Sequence, residues 1–207
     1  MGAPGSHEFT VRDSTTVYSG AILALRLDQV VMPSGEAQRE VVSKHGAVAI
    51  LARDEQGRIA LVRQYRHPIQ RRLLELPAGL LDGGPEESPL DAAQRELAEE
   101  AGLAAGSWRT LVDLVSSAGF CDEATRVFLA EDLRAVDSGP RHHEEADLEV
   151  LWLSLEDAVA AALSGEIVNA STVAGVLAAA EVLRSGVELR APDAPWIDRP
   201  RRFTGRQ

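Results

Sequence analysis

Glu96, Glu99 and Glu100 constrain this chain more than any other feature, because their spacing calls for a helix and their charge calls for a counterweight. Positions i, i+3 and i+4 share one helical face, so three carboxylates converge. Like charges so spaced cost an isolated helix roughly 0.2–0.5 kcal/mol per pair. A hard divalent cation removes that repulsion. Mg²⁺ takes oxygen ligands and keeps several waters, so it can hold substrate phosphates at the same time. A solvated acidic face would carry the same three residues, and the choice between the two falls to their surroundings.

Those surroundings describe a bounded helix behind a loop. Ser88 suits an N-cap, Pro89 the first helical position, and Asp91 completes an S-x-x-D capping pattern. Leu90, Ala93 and Leu97 form an apolar stripe at helical spacing, and Gly102 stands where a C′ glycine ends a helix. Gly79 lies upstream, after Glu75-Leu76-Pro77-Ala78, and Glu87 lies between it and Arg95. A glycine-containing loop, a capped helix and clustered carboxylates together match a cation–pyrophosphate site.

The chain of 207 residues suits one compact domain with an extra N-terminal element. Its net charge of −11 argues against nucleic-acid polymers and anionic membranes as partners. A small anionic substrate remains compatible, because a bound metal inverts the local charge. Cys121 is the single cysteine, which fits a reducing cytoplasm. No apolar run reaches membrane-span length and no secretory leader is evident, and a cytoplasmic protein is expected.

Alternation and turn residues predict strands at 17–25 and 27–32, a turn at Pro33-Ser34-Gly35, and a return strand at 39–44. Residues 46–53 and 59–65 read as a hairpin of a central mixed sheet, joined by a turn at 54–57. Strands follow at 108–116, 124–130 and 148–153, then helices from Ser154 to about Leu163 and from Asn169 to Leu183. The stretch 138–145 reads as a surface loop. Helices flanking a mixed sheet predict an α/β fold, a layered α/β/α sandwich.

The run Glu87…Arg95-Glu96-Leu97-x-Glu99-Glu100-x-Gly102-Leu103 resembles the Nudix box, G-x5-E-x7-R-E-U-x-E-E-x-G-U with U aliphatic. Gly79 departs from it, standing eight residues before Glu87 rather than six, which implies a short insertion in the loop. The likeness extends over nearly the whole chain. Gln64-Tyr65-Arg66, Leu74-Glu75-Leu76-Pro77-Ala78-Gly79, Gly119-Phe120-x-Asp122-Glu123, the loop 142–147 and Trp196-Ile197-Asp198-Arg199-Pro200 resemble the ADP-ribose-hydrolysing subgroup, its actinobacterial members in particular. Ala118 stands where that subgroup usually has proline.

The resemblance implies a set of roles. Glu96, Glu100 and the Ala78 carbonyl would ligate Mg²⁺, or Mn²⁺ in its place, with Glu99 a shared or water-mediated ligand. Arg95 and Glu87 would orient the loop against the helix. The general base would be Glu145, with Glu144 the second choice, and His142 and His143 are read as loop residues near the substrate. Arg39, Arg66, the Leu80 amide, Phe120 and Glu123 would contact the substrate, expected to be ADP-ribose. Another nucleoside diphosphate sugar, NADH or a dinucleoside polyphosphate is the alternative, and a non-catalytic ADP-ribose sensor a further one. The resemblance also implies a homodimer, with residues 1–45 as a β-rich arm, 46–190 as the hydrolase domain and 191–207 as an extended tail.

Overall fold

Three strands open the described chain: β1 (Thr10–Ser19), β2 (Leu23–Met32) and β3 (Gly35–Lys44) form an antiparallel sheet in that order. The computed structural model describes residues 8–84, 87–137, 147–201 and 203. It divides into two compact units, Met1–Gly46 with Val115–Thr125 and Pro195–Gln207, and Ala47–Leu114 with Arg126–Ala194.

In the first unit the break between strands falls at 20–22, where the Gly20 amide donates to the Leu23 carbonyl over 2.9 Å. The expected break between residues 25 and 27 is therefore corrected. Arg26 sits mid-strand, where its charge has a partner. Its Nε donates to the buried Asp28 carboxylate at 3.0 Å, and its Nη1 reaches the Ser43 hydroxyl. Further along β3, the Val42 amide donates to the Phe120 carbonyl (2.7 Å) and the Asp122 amide to the Val42 carbonyl (3.1 Å).

The second unit contains β4 (Ala47–Ala52), β5 (Arg58–Arg66), a 3-10 turn (His67–Ile69), β6 (Arg71–Glu75) and β7 (Ala78–Leu80). It continues with α1 (Pro89–Ala101), most of β8 (Leu103–Val115) and of β9 (Ala124–Ala135), β10 (Glu149–Ser154), α2 (Leu155–Ser164) and α3 (Ala170–Ser185). One sheet has the order β7-β4-β9-β8 and another β10-β5-β6. The predicted hairpin of 46–53 with 59–65 is thus corrected. The turn forms, with the Gly57 amide on the Asp54 carbonyl at 3.0 Å, but only Arg53 and Ile59 bridge. Beyond that bridge β4 takes β7 and β9 as neighbours while β5 takes β6 and β10, so the two strands lie in different sheets.

Strand β4 shows why helices cover both faces. It is apolar throughout, as expected of a strand with no solvent face. Ala49 and Leu51 join Val127, Leu129 and the buried residues of α2 and α3 in one core. Val48, Ile50 and Ala52 join Phe128, Ala130 and the α1 residues Ala92, Ala93 and Leu97 in the other. Period-two alternation thus sends successive side chains to opposite layers, giving the predicted α/β class. Trp108 lies in the α1-side core, edge-on to Phe128.

Candidate active site

Helix α1 is fixed at both ends by local chemistry. Ser88 accepts from the Asp91 amide at 3.1 Å, and Asp91 Oδ2 accepts from the Ser88 amide at 3.1 Å, closing a capping box with Pro89 in the first turn. Gly102 ends the helix at φ 65°, in the left-handed region that glycine adopts without a Cβ penalty. Burial of Ala92, Ala93 and Leu97 then sets the helix rotation. It leaves Glu96 and Glu100 at the edge of the buried stripe, 8% and 6% exposed.

Arg95 gathers the box carboxylates. Its Nε donates to Glu87 at 3.0 Å, its Nη1 to Glu96 at 2.6 Å and to Glu99 at 3.2 Å, and Asp82 lies 3.6 Å from Nη2. Nη2 also reaches the Leu80 carbonyl at 3.5 Å. Burial works against the guanidinium charge, but the hydrogen bond to Glu87 and the charge of Glu96 more than offset it and hold the pKa above its ordinary value. Glu96 is also raised, which for a carboxyl disfavours the charged form. Burial pushes its carboxyl up, Arg95 opposes, and Glu99 and Asp82 add to the rise.

The loop before α1 is shaped around these side chains. The Ala78 amide donates to Glu100 at 2.9 Å, and the Gly83 amide to Glu87 at 3.0 Å. A Cβ on Gly79 would overlap the Glu96 carboxylate, so glycine there allows the loop to approach the helix. On β5, Arg66 forks onto Glu75, Nε to Oε1 at 3.0 Å and Nη2 to Oε2 at 2.7 Å. Sequence reading had assigned no role to Glu75 or Asp82. Glu75 is nine residues from Arg66 in the chain, and only the β5–β6 pairing joins them.

The remaining candidates are not among the second unit's described residues. Arg39, Phe120 and Glu123 belong to the first unit. There Arg39 touches the Met32 sulfur and the Gln38 carbonyl, Phe120 is exposed, and Glu123 is paired with Lys44 and accepts from the Ser116 hydroxyl at 2.9 Å. Glu144, Glu145, His142 and His143 lie outside the described residues.

The donor set suits a hard divalent cation. Four carboxylates, those of Asp82, Glu87, Glu96 and Glu99, lie within 3.6 Å of the single Arg95 guanidinium, which leaves the cluster strongly negative. Buried carboxylates are retained where they are paired or coordinate metal. Among the described residues no three acidic, imidazole or thiol side chains are spaced as ligands of one metal ion. Arg95 and the Ala78 amide hold them instead.

Comparison with known proteins gives the arrangement a lineage. A model of the NUDIX domain matches residues 43–174. The ADP-ribose pyrophosphatase of Mycobacterium tuberculosis is 50% identical over 202 residues, 97% of this chain and 97% of that protein. The ADP-ribose pyrophosphatase of Bacillus subtilis is 39% identical over 157 residues, 75% of this chain and 84% of that one. The crystal structure of an ADP compounds hydrolase aligns with a TM-score of 0.74 over 89% of this chain and 98% of that chain. At 21% identity it speaks to the fold.

Proposed function

The chain belongs to the NUDIX domain family, and from that membership we propose that it hydrolyses the pyrophosphate of ADP-ribose to AMP and ribose 5-phosphate. The observation that carries the reading is the box cluster: α1 presents Glu96, Glu99 and Glu100 beside a glycine loop that ends on it. Glu96, Glu99, Glu100 and the Ala78 carbonyl would hold Mg²⁺, for which Mn²⁺ can substitute. Such a cation, when bound, polarises phosphoryl oxygens and lowers the pKa of bound water.

The chain's own groups supply the rest. Arg95 keeps Glu87, Glu96 and Glu99 in a fixed array, and the capped helix keeps that array rigid. Arg66, Arg39, the Leu80 amide, Phe120 and Glu123 position ADP-ribose. Glu145 takes the proton from the attacking water, with Glu144 the alternative base. One new P–O bond forms to water oxygen as the bridging P–O bond breaks, and the bridging oxygen leaves on the other phosphate. Positioning and charge stabilisation dominate such a transfer. The acting protein is a cytoplasmic homodimer in which the segment 1–45 packs against the partner. Its small-molecule substrate is a nucleotide, and nucleic acid and membrane are not partners.

Two measurements test this. Chelation with EDTA should abolish ADP-ribose turnover and excess Mg²⁺ restore it; turnover persisting in EDTA would remove the cation from the account. Glu145→Gln should slow kcat by roughly 10²–10⁴, the usual size of general base catalysis, with Mg²⁺ half-saturation nearly unchanged. A fully active Glu145→Gln beside a dead Glu144→Gln would move the base to Glu144.

A further inference from the structure

Arg95 serves the two sides of the site unequally. Its Nε is committed to Glu87 Oε1, while Glu87 Oε2 accepts from the Gly83 amide, both at 3.0 Å. A single nitrogen, Nη1, supplies both helix carboxylates, Glu96 at 2.6 Å and Glu99 at 3.2 Å. Nη2 carries two N–H groups of its own. Among the described residues it makes only two long contacts, both on the loop side. They are the Leu80 carbonyl at 3.5 Å and the Asp82 carboxylate at 3.6 Å, beyond ordinary hydrogen-bond length. The guanidinium thus spans from α1 to the loop, with its short bonds on the helix and its spare donor facing Asp82.

Asp82 does little for the fold. Its side chain is 55% exposed, and an exposed ion pair at this distance adds little stability. It also brings a fourth negative charge to the cluster. A part in cation binding accounts for its place. Glu96 and Glu99, the two carboxylates on Nη1, are also two that would ligate Mg²⁺. As they turn to the cation, Nη1 loses its acceptors, yet the Arg95 side chain is only 33% exposed and needs a countercharge. Glu87 is pinned by the Gly83 amide. Asp82 is exposed, and a contact shorter by about 0.6 Å would be an ordinary hydrogen bond to Nη2. We propose that Asp82 is a positioning residue of the cation site, taking the Arg95 guanidinium as Glu96 and Glu99 turn to the cation. The array that Arg95 maintains then passes to the cation, with Glu87 still on Nε. This rests on the cation reading above, and cation binding by the unaltered protein tests that reading separately.

The test measures Mn²⁺ affinity, from the paramagnetic resonance of the unbound ion, for the unaltered protein, Asp82→Ala and Asp82→Glu. The expected result is binding about tenfold weaker in Asp82→Ala and within about twofold of the unaltered protein in Asp82→Glu. In EDTA the thermal midpoint of Asp82→Ala should stay within about 2 °C of the unaltered protein, which a residue serving only the fold would not allow. A crystal structure of the unaltered protein with Mg²⁺ then separates the exchange from a plain effect of charge. Arg95 Nη2 should stand at hydrogen-bond distance from Asp82, and Nη1 farther from Glu96 and Glu99. Mn²⁺ affinity unchanged within about twofold in Asp82→Ala would overturn the proposal. So would Mg²⁺ ligated by Asp82 itself, or an Arg95 that keeps its bonds to Glu96 and Glu99. If the unaltered protein binds neither Mn²⁺ nor Mg²⁺, the cation reading fails and the proposal with it.

Discussion

Glu100→Gln should lower kcat for ADP-ribose by about 10³ or more while leaving the fold intact. The carboxamide keeps the shape of the side chain and an oxygen to accept the Ala78 amide, now 2.9 Å from Glu100. What it removes is one negative charge from the set that would hold Mg²⁺. A cation at the phosphoryl oxygens is worth several kcal/mol of transition-state charge stabilisation. With each tenfold in rate worth about 1.4 kcal/mol, losing about 4 kcal/mol corresponds to about 10³. The thermal midpoint should stay within a few degrees, and higher Mg²⁺ should recover only part of the rate. Near-normal kcat at saturating Mg²⁺ would show that Glu100 serves the loop through Ala78 and not the chemistry.

Asp113→Ala should destabilise the protein by about 3–5 kcal/mol, through a different part of the second unit. Arg126 is almost wholly buried, its side chain 2% exposed, and it forks onto Asp113 with Nε to Oδ1 at 2.7 Å and Nη2 to Oδ2 at 3.0 Å. Its Nη1 donates to the Ala194 carbonyl at 2.7 Å, and Arg190 also donates to Asp113 at 2.8 Å. Removing the carboxylate leaves a buried guanidinium without its countercharge, a change that typically costs this much. For a chain of this length the midpoint should fall by about 10 °C. The pH dependence follows from the same contacts. Burial pushes the Asp113 carboxyl up, but hydrogen bonds from Arg126 and Arg190 outweigh it and hold the pKa below the ordinary aspartate value. A depressed pKa contributes stability above the unfolded value, about pH 4, and loses it as pH falls through the lower folded value. The gap in midpoint between the unaltered protein and Asp113→Ala should therefore narrow below about pH 4. An equal midpoint at pH 7 would show that the ion pair is neutral to stability.

Local chemistry was readable from the sequence, and long-range partnership was not. The caps of α1 lie within a few residues of what they cap, so Ser88, Asp91 and Gly102 announce both ends. Asn169 and Ser154 do the same for α3 and α2, each accepting from the amide three residues on. Strand partners depend on packing across the chain. The turn at 54–57 was visible, but nothing within 46–65 says that β4 will prefer β7 and β9 to β5. The break falls at Gly20 and not at Arg26, whose charge is received by Asp28 and Ser43. At the site, the spacing of Glu96, Glu99 and Glu100 carried the chemistry directly. Glu75 and Asp82 were passed over because Arg66 and Arg95 meet them only through the pairing of β6 and the course of the loop.

The central claim is tested most directly by incubating the protein with ADP-ribose and Mg²⁺ and resolving the products. ADP-glucose, GDP-mannose, NADH and a diadenosine polyphosphate serve as parallel substrates. The account predicts AMP and ribose 5-phosphate in equal amounts, formed faster than any product of the other compounds. Faster hydrolysis of another compound would contradict the substrate assignment and point first to the loop at Ala118. Tight ADP-ribose binding without turnover of any compound would contradict the hydrolase itself and make the protein a sensor.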